Sequence, residues 1–179
     1  SRDSPSAWLP QSPSPLLALL TAGYPAEARA WRAWLLRSVA GRPTATNIMY
    51  GLAGERRLTE LELDWLPGYE GARPVRTGNA ASRQFQLDVY GEVIDAMYQA
   101  RKFGLEPEEA GWRLGQALLN FVAEACDRPA EGIWEVRGPK RQFTPSEVMP
   151  WVAVDPAVKA RERVGPDAPA ARGRPRRDA

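Results

Sequence analysis

Apolar residues recur along this chain with a helical period and almost nowhere with a period of two. Ala28, Trp31, Leu35 and Val39 share one face of the stretch that follows Pro25. Leu87, Tyr90, Ile94 and Met97 share a face within residues 80–103, and Leu114, Leu118, Phe121, Val122 and Ala125 form a third stripe. Spacings of three and four mark amphipathic helices. The punctuation agrees. A short apolar helix from Leu16 is stopped by Gly23 and Pro25, Gly41 and Gly104 close the next two runs, and Glu108 and Glu109 suit a first turn beginning near Pro107. Thr144 caps a last helix reaching about Val164, which Pro150 and Pro156 are expected to kink or split. Helix pairs joined by alternately short and long connections imply an all-α array rather than an alternating βα fold.

Three stretches depart from this rhythm. Residues 1–15 hold four prolines and little apolar bulk, and read as irregular and disordered. Residues 165–179 contain no large apolar side chain and read as a disordered basic tail. Residues 42–79 are rich in glycine and proline, with alternation at Leu61, Leu63 and Trp65. They read as a long irregular loop with a short strand pair. Loops of that length are commonly functional, and this one has too many large apolar residues for disorder.

Composition narrows the chemistry. There is no histidine and one cysteine, Cys126. That excludes an intrachain disulfide and the usual Ser/His and Cys/His dyads, and it removes the commonest metal ligand. Cys126 reads as a small buried hydrophobe, and no metal or cofactor is expected. Arg172, Arg174, Arg176 and Arg177 against Asp167 and Asp178 give the tail the whole net charge of +2. The body is therefore neutral, and nucleic acid is not an expected partner. No apolar run approaches a membrane span, and the first residues lack a signal-peptide layout, so the expected location is cytoplasmic with no membrane partner.

The stretch Glu131–Thr144, EGIWEVRGPKRQFT, sets Glu135 beside Trp134 with Arg137 two places on. A carboxyl against an indole is desolvated on one side, which raises its pKa and suits a general acid. An ion pair between Glu135 and Arg137 is the simpler local reading and would lower the pKa instead. In Gly68–Ala81, Arg73 and Arg76 flank Pro74 in a loop leading to a helix, with Asn79 placed to cap it. Arginine forks can clamp vicinal hydroxyls, or can simply fasten local carbonyls. Trp65 and Tyr69 in the acidic stretch before it could offer a sugar platform, although core packing is the simpler reading. Metal-ligand spacing is lacking there.

The ordered succession AGYPAEARAWRAWLL, NIMYGLAGERRLTELELDWLPGYEGARPVRTGNAA, QLDVYGEVIDAMYQAR, GIWEVRGPKRQFT and VMPWVAVDPAVKA closely resembles the bacterial branch of glycoside hydrolase family 15, the glucoamylases and trehalases, over residues 16–163. The resemblance implies part, about half, of a barrel of six helical hairpins, an (α/α)6 fold. It implies inverting hydrolysis of an α-glucoside or oligosaccharide, with one carboxyl protonating the leaving oxygen and a second activating water. It assigns the general acid to Glu135, and substrate contacts to Trp134, Arg137, Arg73, Arg76, Asn79 and Tyr69. Glu135 is then expected in a concave surface beside Trp134, Arg73 and Arg76.

The sequence also departs from the family. Pro10 and Gln11 follow Trp8–Leu9 where relatives carry Arg-Asp, and Glu147 stands where a lysine is usual. The family's general base belongs to a second half that the resemblance does not reach. Asp64, Glu70 and Glu131 are the carboxylates that could stand in for it. These features point to a truncated or frame-damaged copy, inactive alone, with self-association through exposed half-barrel faces. The alternative is a non-catalytic carbohydrate-binding or scaffold remnant.

Overall fold

The computed structural model describes residues 6–106, 108–134 and 138–164, without the side chains of 156, 157 and 159–164. The tail read as disordered, 165–179, lies outside them, as do residues 1–5. The described chain is mostly helical: α1 (Pro13–Thr21), α2 (Pro25–Val39), α3 (Asp88–Lys102), α4 (Glu109–Ala125) and α5 (Thr144–Val164). Two short antiparallel ribbons accompany them. One pairs β1 (Ser6–Trp8) with β2 (Met49–Gly51), and the other pairs β3 (Leu61–Glu62) with β4 (Arg76–Thr77). None of the described helices is long and apolar enough to cross a membrane.

The N-terminal segment corrects the expectation of disorder over residues 1–15. From Ser6 it is part of the fold. Ser6–Trp8 pairs with Met49–Gly51, the Leu9 amide donates to the Ile48 carbonyl at 2.8 Å, and Leu9 is fully buried. A three-residue strand is too short to show a period. The prolines were also misleading: Pro13 and Pro15 occupy the first turn of α1, where backbone N–H groups have no intrahelical acceptor to lose.

Helix α1 ends against Gly23, whose φ of +82° takes the chain through the left-handed region before Pro25 opens α2. The Trp31 indole donates to the Ser12 carbonyl and stacks on Trp34 at 5.0 Å, and Trp34 donates to the Leu52 carbonyl. At the far end of α2 the Arg56 guanidinium donates to the carbonyls of Ser38, Ala40 and Ala45. A side-chain cation thus caps a helix C-terminus from the following loop.

Helix α3 is the centre of the core. Val89, Tyr90, Val93, Ile94, Ala96 and Ala100 are buried on it, and it packs against α1, α2, α4 and most extensively α5. It starts at Asp88 rather than at residue 80, because a 3-10 turn, Ala80–Arg83, comes first. Helix α5 runs unbroken through Pro150 and Pro156, so the expected split does not occur. Its packing on α3 is close enough for the Met149 carbonyl to lie directly over Gly91. A Cβ built at Gly91 would stand 2.5 Å from that oxygen.

This contact generates a stability test. Gly91→Ala should destabilise the chain by about 1–3 kcal/mol, the usual range for overpacking against an atom that cannot rotate away. Gly115→Ala, on α4, would meet only the flexible end of Met97 at 3.6 Å. It should stabilise by roughly 0.5–1 kcal/mol through helix propensity. Urea midpoints of the two variants measure the difference, and equal midpoints would show that the α3–α5 contact yields.

Candidate functional site

Two connections hold the candidate residues. The first is the β3–β4 ribbon and its tip. Register pairs Leu61 with Thr77 and Glu62 with Arg76, and the Leu63 amide donates to the Val75 carbonyl at 2.8 Å. Only Val75 of the tip is buried. Trp65 and Tyr69 are 74% and 86% exposed, which corrects the reading of core packing for that pair and leaves two open aromatic faces. Arg73 donates to the Asp64 carbonyl at 3.3 Å, so it braces the tip from within.

Arg76 has carboxylate partners across the ribbon. Its Nη2 lies 2.7 Å from Glu62 Oε1 and its Nε 3.7 Å from Glu60 Oε1. Exposed pairs of this kind stabilise weakly, but two acceptors on one planar fork fix its direction. Glu60 also accepts from the Ala80 amide, at the start of the 3-10 turn, where a carboxylate is favoured. Between them Gly78 adopts φ +72° with its backbone against the Thr59 carbonyl, where a Cβ would collide. Asn79 caps the turn as the sequence suggested: its Oδ1 accepts from the Ala81 amide at 2.9 Å.

The second connection is the stretch between α4 and α5. Ala130 and Arg141 exchange two backbone hydrogen bonds of 2.9 Å, closing a hairpin-like loop. Gly132 turns the chain at φ +74°, where any Cβ would press within 2.9 Å of the Phe143 ring. Trp134 follows with its side chain 82% exposed. Glu135 and Arg137 fall outside the described residues.

What joins the two connections is Glu131. One carboxylate oxygen accepts from the Phe85 amide at 2.8 Å, and the Glu131 amide donates to the Phe85 carbonyl at 3.1 Å. Its other oxygen lies 3.7 Å from Lys140 Nζ, and Lys140 in turn sits 5.4 Å from the centre of the Phe85 ring. Phe85 is itself set into the core, edge-on to Phe121 and tilted against Tyr90. The 3-10 turn Ala80–Arg83 connects Asn79 to this anchor. Sequence reasoning treated Glu131 only as a stand-in base and missed this role, because nothing local pairs it with a residue 46 positions away.

Of the two other stand-in bases, Glu70 lies in the ribbon tip with φ +51° and Asp64 beside Trp65, where its carbonyl receives Arg73. Cys126 is half-buried, with its thiol directed at the Ala123 carbonyl at 3.7 Å. Among the described residues no group of three or more Cys, Asp or Glu side chains is placed to hold a metal ion. One carboxyl with a raised pKa belongs to neither loop. Glu92, on α3, is pushed up to about 7, first by burial and then by Asp88 and Asp95.

Comparison with known proteins bears on both loops. The sequence model of glycosyl hydrolases family 15 matches residues 2–178. The trehalase of Mycobacterium tuberculosis is 39% identical over 163 residues, covering 89% of this chain and 24% of that protein. The trehalase of Mycolicibacterium smegmatis is 38% identical over 166 residues, with the same two shares. Trehalase 1 of Sulfolobus acidocaldarius is 36% identical over 152 residues, covering 83% of this chain and 27% of that protein. The chain thus spans about a quarter of the length of the curated relatives it matches. No solved structure matches.

Glu92 generates a pH dependence. Between its ordinary 4.5 and about 7 the folded chain keeps a proton that the unfolded chain has released. Stability should therefore fall as pH rises through that window. Glu92→Gln, which cannot ionise, should flatten the fall. Urea midpoints at the two ends of the window measure it, and an unchanged slope in the variant would assign the dependence to another group.

Proposed function

The chain belongs to glycosyl hydrolases family 15, and from that membership we propose that it supplies the proton-donating part of an inverting α-glucosidase site acting on trehalose. The observation that supports this reading is that Glu131, just before residues 132–134, bonds to Phe85, six residues after Asn79 in the chain. Glu135 is the proposed general acid. It protonates the glycosidic oxygen as the bond to the anomeric carbon breaks, while water attacks that carbon from the opposite face and gives its proton to a second carboxylate. Trp134 and Tyr69 offer apolar faces to the sugar ring. Arg73, Arg76, Arg137 and Asn79 offer donors to its hydroxyls.

Trehalose is favoured over maltooligosaccharides because the relatives at 36–39% identity are named trehalases. The helix succession supports part of a six-hairpin barrel. Val148, Trp151 and Val158 of α5 are 48%, 64% and 42% exposed at helical spacing, as expected of a face on which further helices pack. An inverting site needs its two carboxyls about 6.5–9.5 Å apart. Glu131 is engaged with the Phe85 amide and Lys140 and so is a poor choice for the second.

The test grafts residues 16–163 into the matching segment of a curated trehalase. Glu135→Gln should lower trehalose turnover by roughly 10²–10⁴-fold, the usual contribution of a general acid. It should affect an α-glucosyl fluoride far less, because fluoride leaves without a proton. Equal losses on both substrates would remove Glu135 from that role. The 179-residue chain alone should release no glucose from trehalose beyond its Glu135→Gln variant. A scaffold that only binds sugar would give a graft inactive with either residue.

A further inference from the structure

We propose that Glu131 is a positioning residue for the acid turn: it holds the turn in register with the arginine-bearing loop, and its removal should impair proton donation selectively. This deepens the proposed function and rests on it. Three observations converge on the residue. Its backbone and side chain together make two hydrogen bonds to one residue, Phe85, at 3.1 and 2.8 Å. That residue lies in the short connection before α3, and its ring packs on Tyr90 of α3 and Phe121 of α4, so the anchor point is tied to the core. The Glu131 side chain is 14% exposed and has a cation, Lys140, on its second oxygen.

The chemistry explains why a glutamate is used. A carboxylate can accept from the Phe85 amide with one oxygen and face the Lys140 ammonium with the other. Charge-assisted bonds are about twice as strong as neutral ones. Glu131 is followed by Gly132, which reverses the chain under the Phe143 ring. Glu135 lies four residues from Glu131 in sequence, with only Gly132, Ile133 and Trp134 between. On the other side Phe85 lies six residues after Asn79, with the 3-10 turn between. One side chain therefore sets the offset between both candidate loops. Displacements on the order of 1 Å between reacting groups can cost about 10²-fold in rate.

Two measurements test this. In the 179-residue chain, the Phe85 amide should be protected from hydrogen exchange in wild type and in Glu131→Gln, which keeps an acceptor oxygen. It should exchange much faster in Glu131→Ala with helix content unchanged. In the grafted enzyme, Glu131→Ala should lower kcat on trehalose by about 10²-fold with a much smaller loss on the α-glucosyl fluoride. Glu131→Gln should recover most of the trehalose rate. A residue that merely stabilised the fold would lower both substrates alike, and that result overturns the proposal. If Glu131→Ala fails to fold, Glu131→Asp is read instead: it keeps the charge and shortens the reach by one methylene, and an unchanged trehalose-to-fluoride ratio overturns the proposal equally. Should Glu135→Gln itself fail to discriminate the two substrates, the proposed function falls and this inference with it. Should Glu135→Gln discriminate and Glu131→Ala not, only this inference falls.

Discussion

The passage of the Met149 carbonyl over Gly91 is the constraint on which the rest of the structure depends. Helix α3 touches every other helix, and α5 is its largest neighbour. Two backbones can approach this closely only where one of them has no side chain, so a single glycine sets the spacing of the central pair. Val93 and Ala96 of α3 and Ala153 of α5 are buried. Helix α5 keeps its two internal prolines within one helix for the same reason. The missing hydrogen bonds and ring clashes of Pro150 and Pro156 cost several kcal/mol in an isolated helix, and extensive packing on α3 offsets them.

The same core carries the candidate site outward. Tyr90 and Phe121 lie 4.9 Å apart at the α3–α4 contact, and Phe85 closes against both. The Phe85 backbone is then the surface on which Glu131 sets the second loop. The connection before α3, held by the core, thus receives a second loop through a part-buried polar contact. That choice suits the loop's composition. Trp134 is largely exposed, and an apolar anchor would compete with its exposure by drawing it inward. A directional bond fixes the loop and leaves the indole open.

The helices were legible because their cores repeat. Leu87, Tyr90 and Ile94 are buried as the period demanded, and so are Leu118, Phe121, Val122 and Ala125. Asn79 was legible as a cap because capping is local, settled by an oxygen two residues from its donor. The misses share the opposite property. Leu9 is buried through a strand pairing some forty positions away, and a three-residue strand has no period to announce it. Core packing was the simpler local reading of Trp65 and Tyr69, although of the ribbon tip only Val75 is buried. The partners of Arg76 lie 14 and 16 positions upstream, on the strand opposite and just before it. Periodicity reads one element at a time, whereas these contacts are made between elements.

Rate arithmetic explains why such contacts matter more for this site than the identity of the acid. A general acid contributes roughly 10²–10⁴-fold, whereas enzymes reach about 10⁶–10¹⁷-fold over the uncatalysed reaction. Most of the acceleration must come from holding the sugar, the acid and the attacking water in one geometry, for which orientation alone can supply about 7–11 kcal/mol. In this chain the two candidate loops have separate supports: Arg76 faces Glu62 and Glu60, and Glu131, at the start of the second loop, bonds to Phe85. The Arg76–Glu62 pair is exposed and weak, while Glu60 is more sheltered and also accepts from the Ala80 amide. The Glu131 bond is sheltered and rooted in the core. Each candidate loop is thus held from outside its own tip, one by carboxylates of the ribbon and one by the Phe85 backbone.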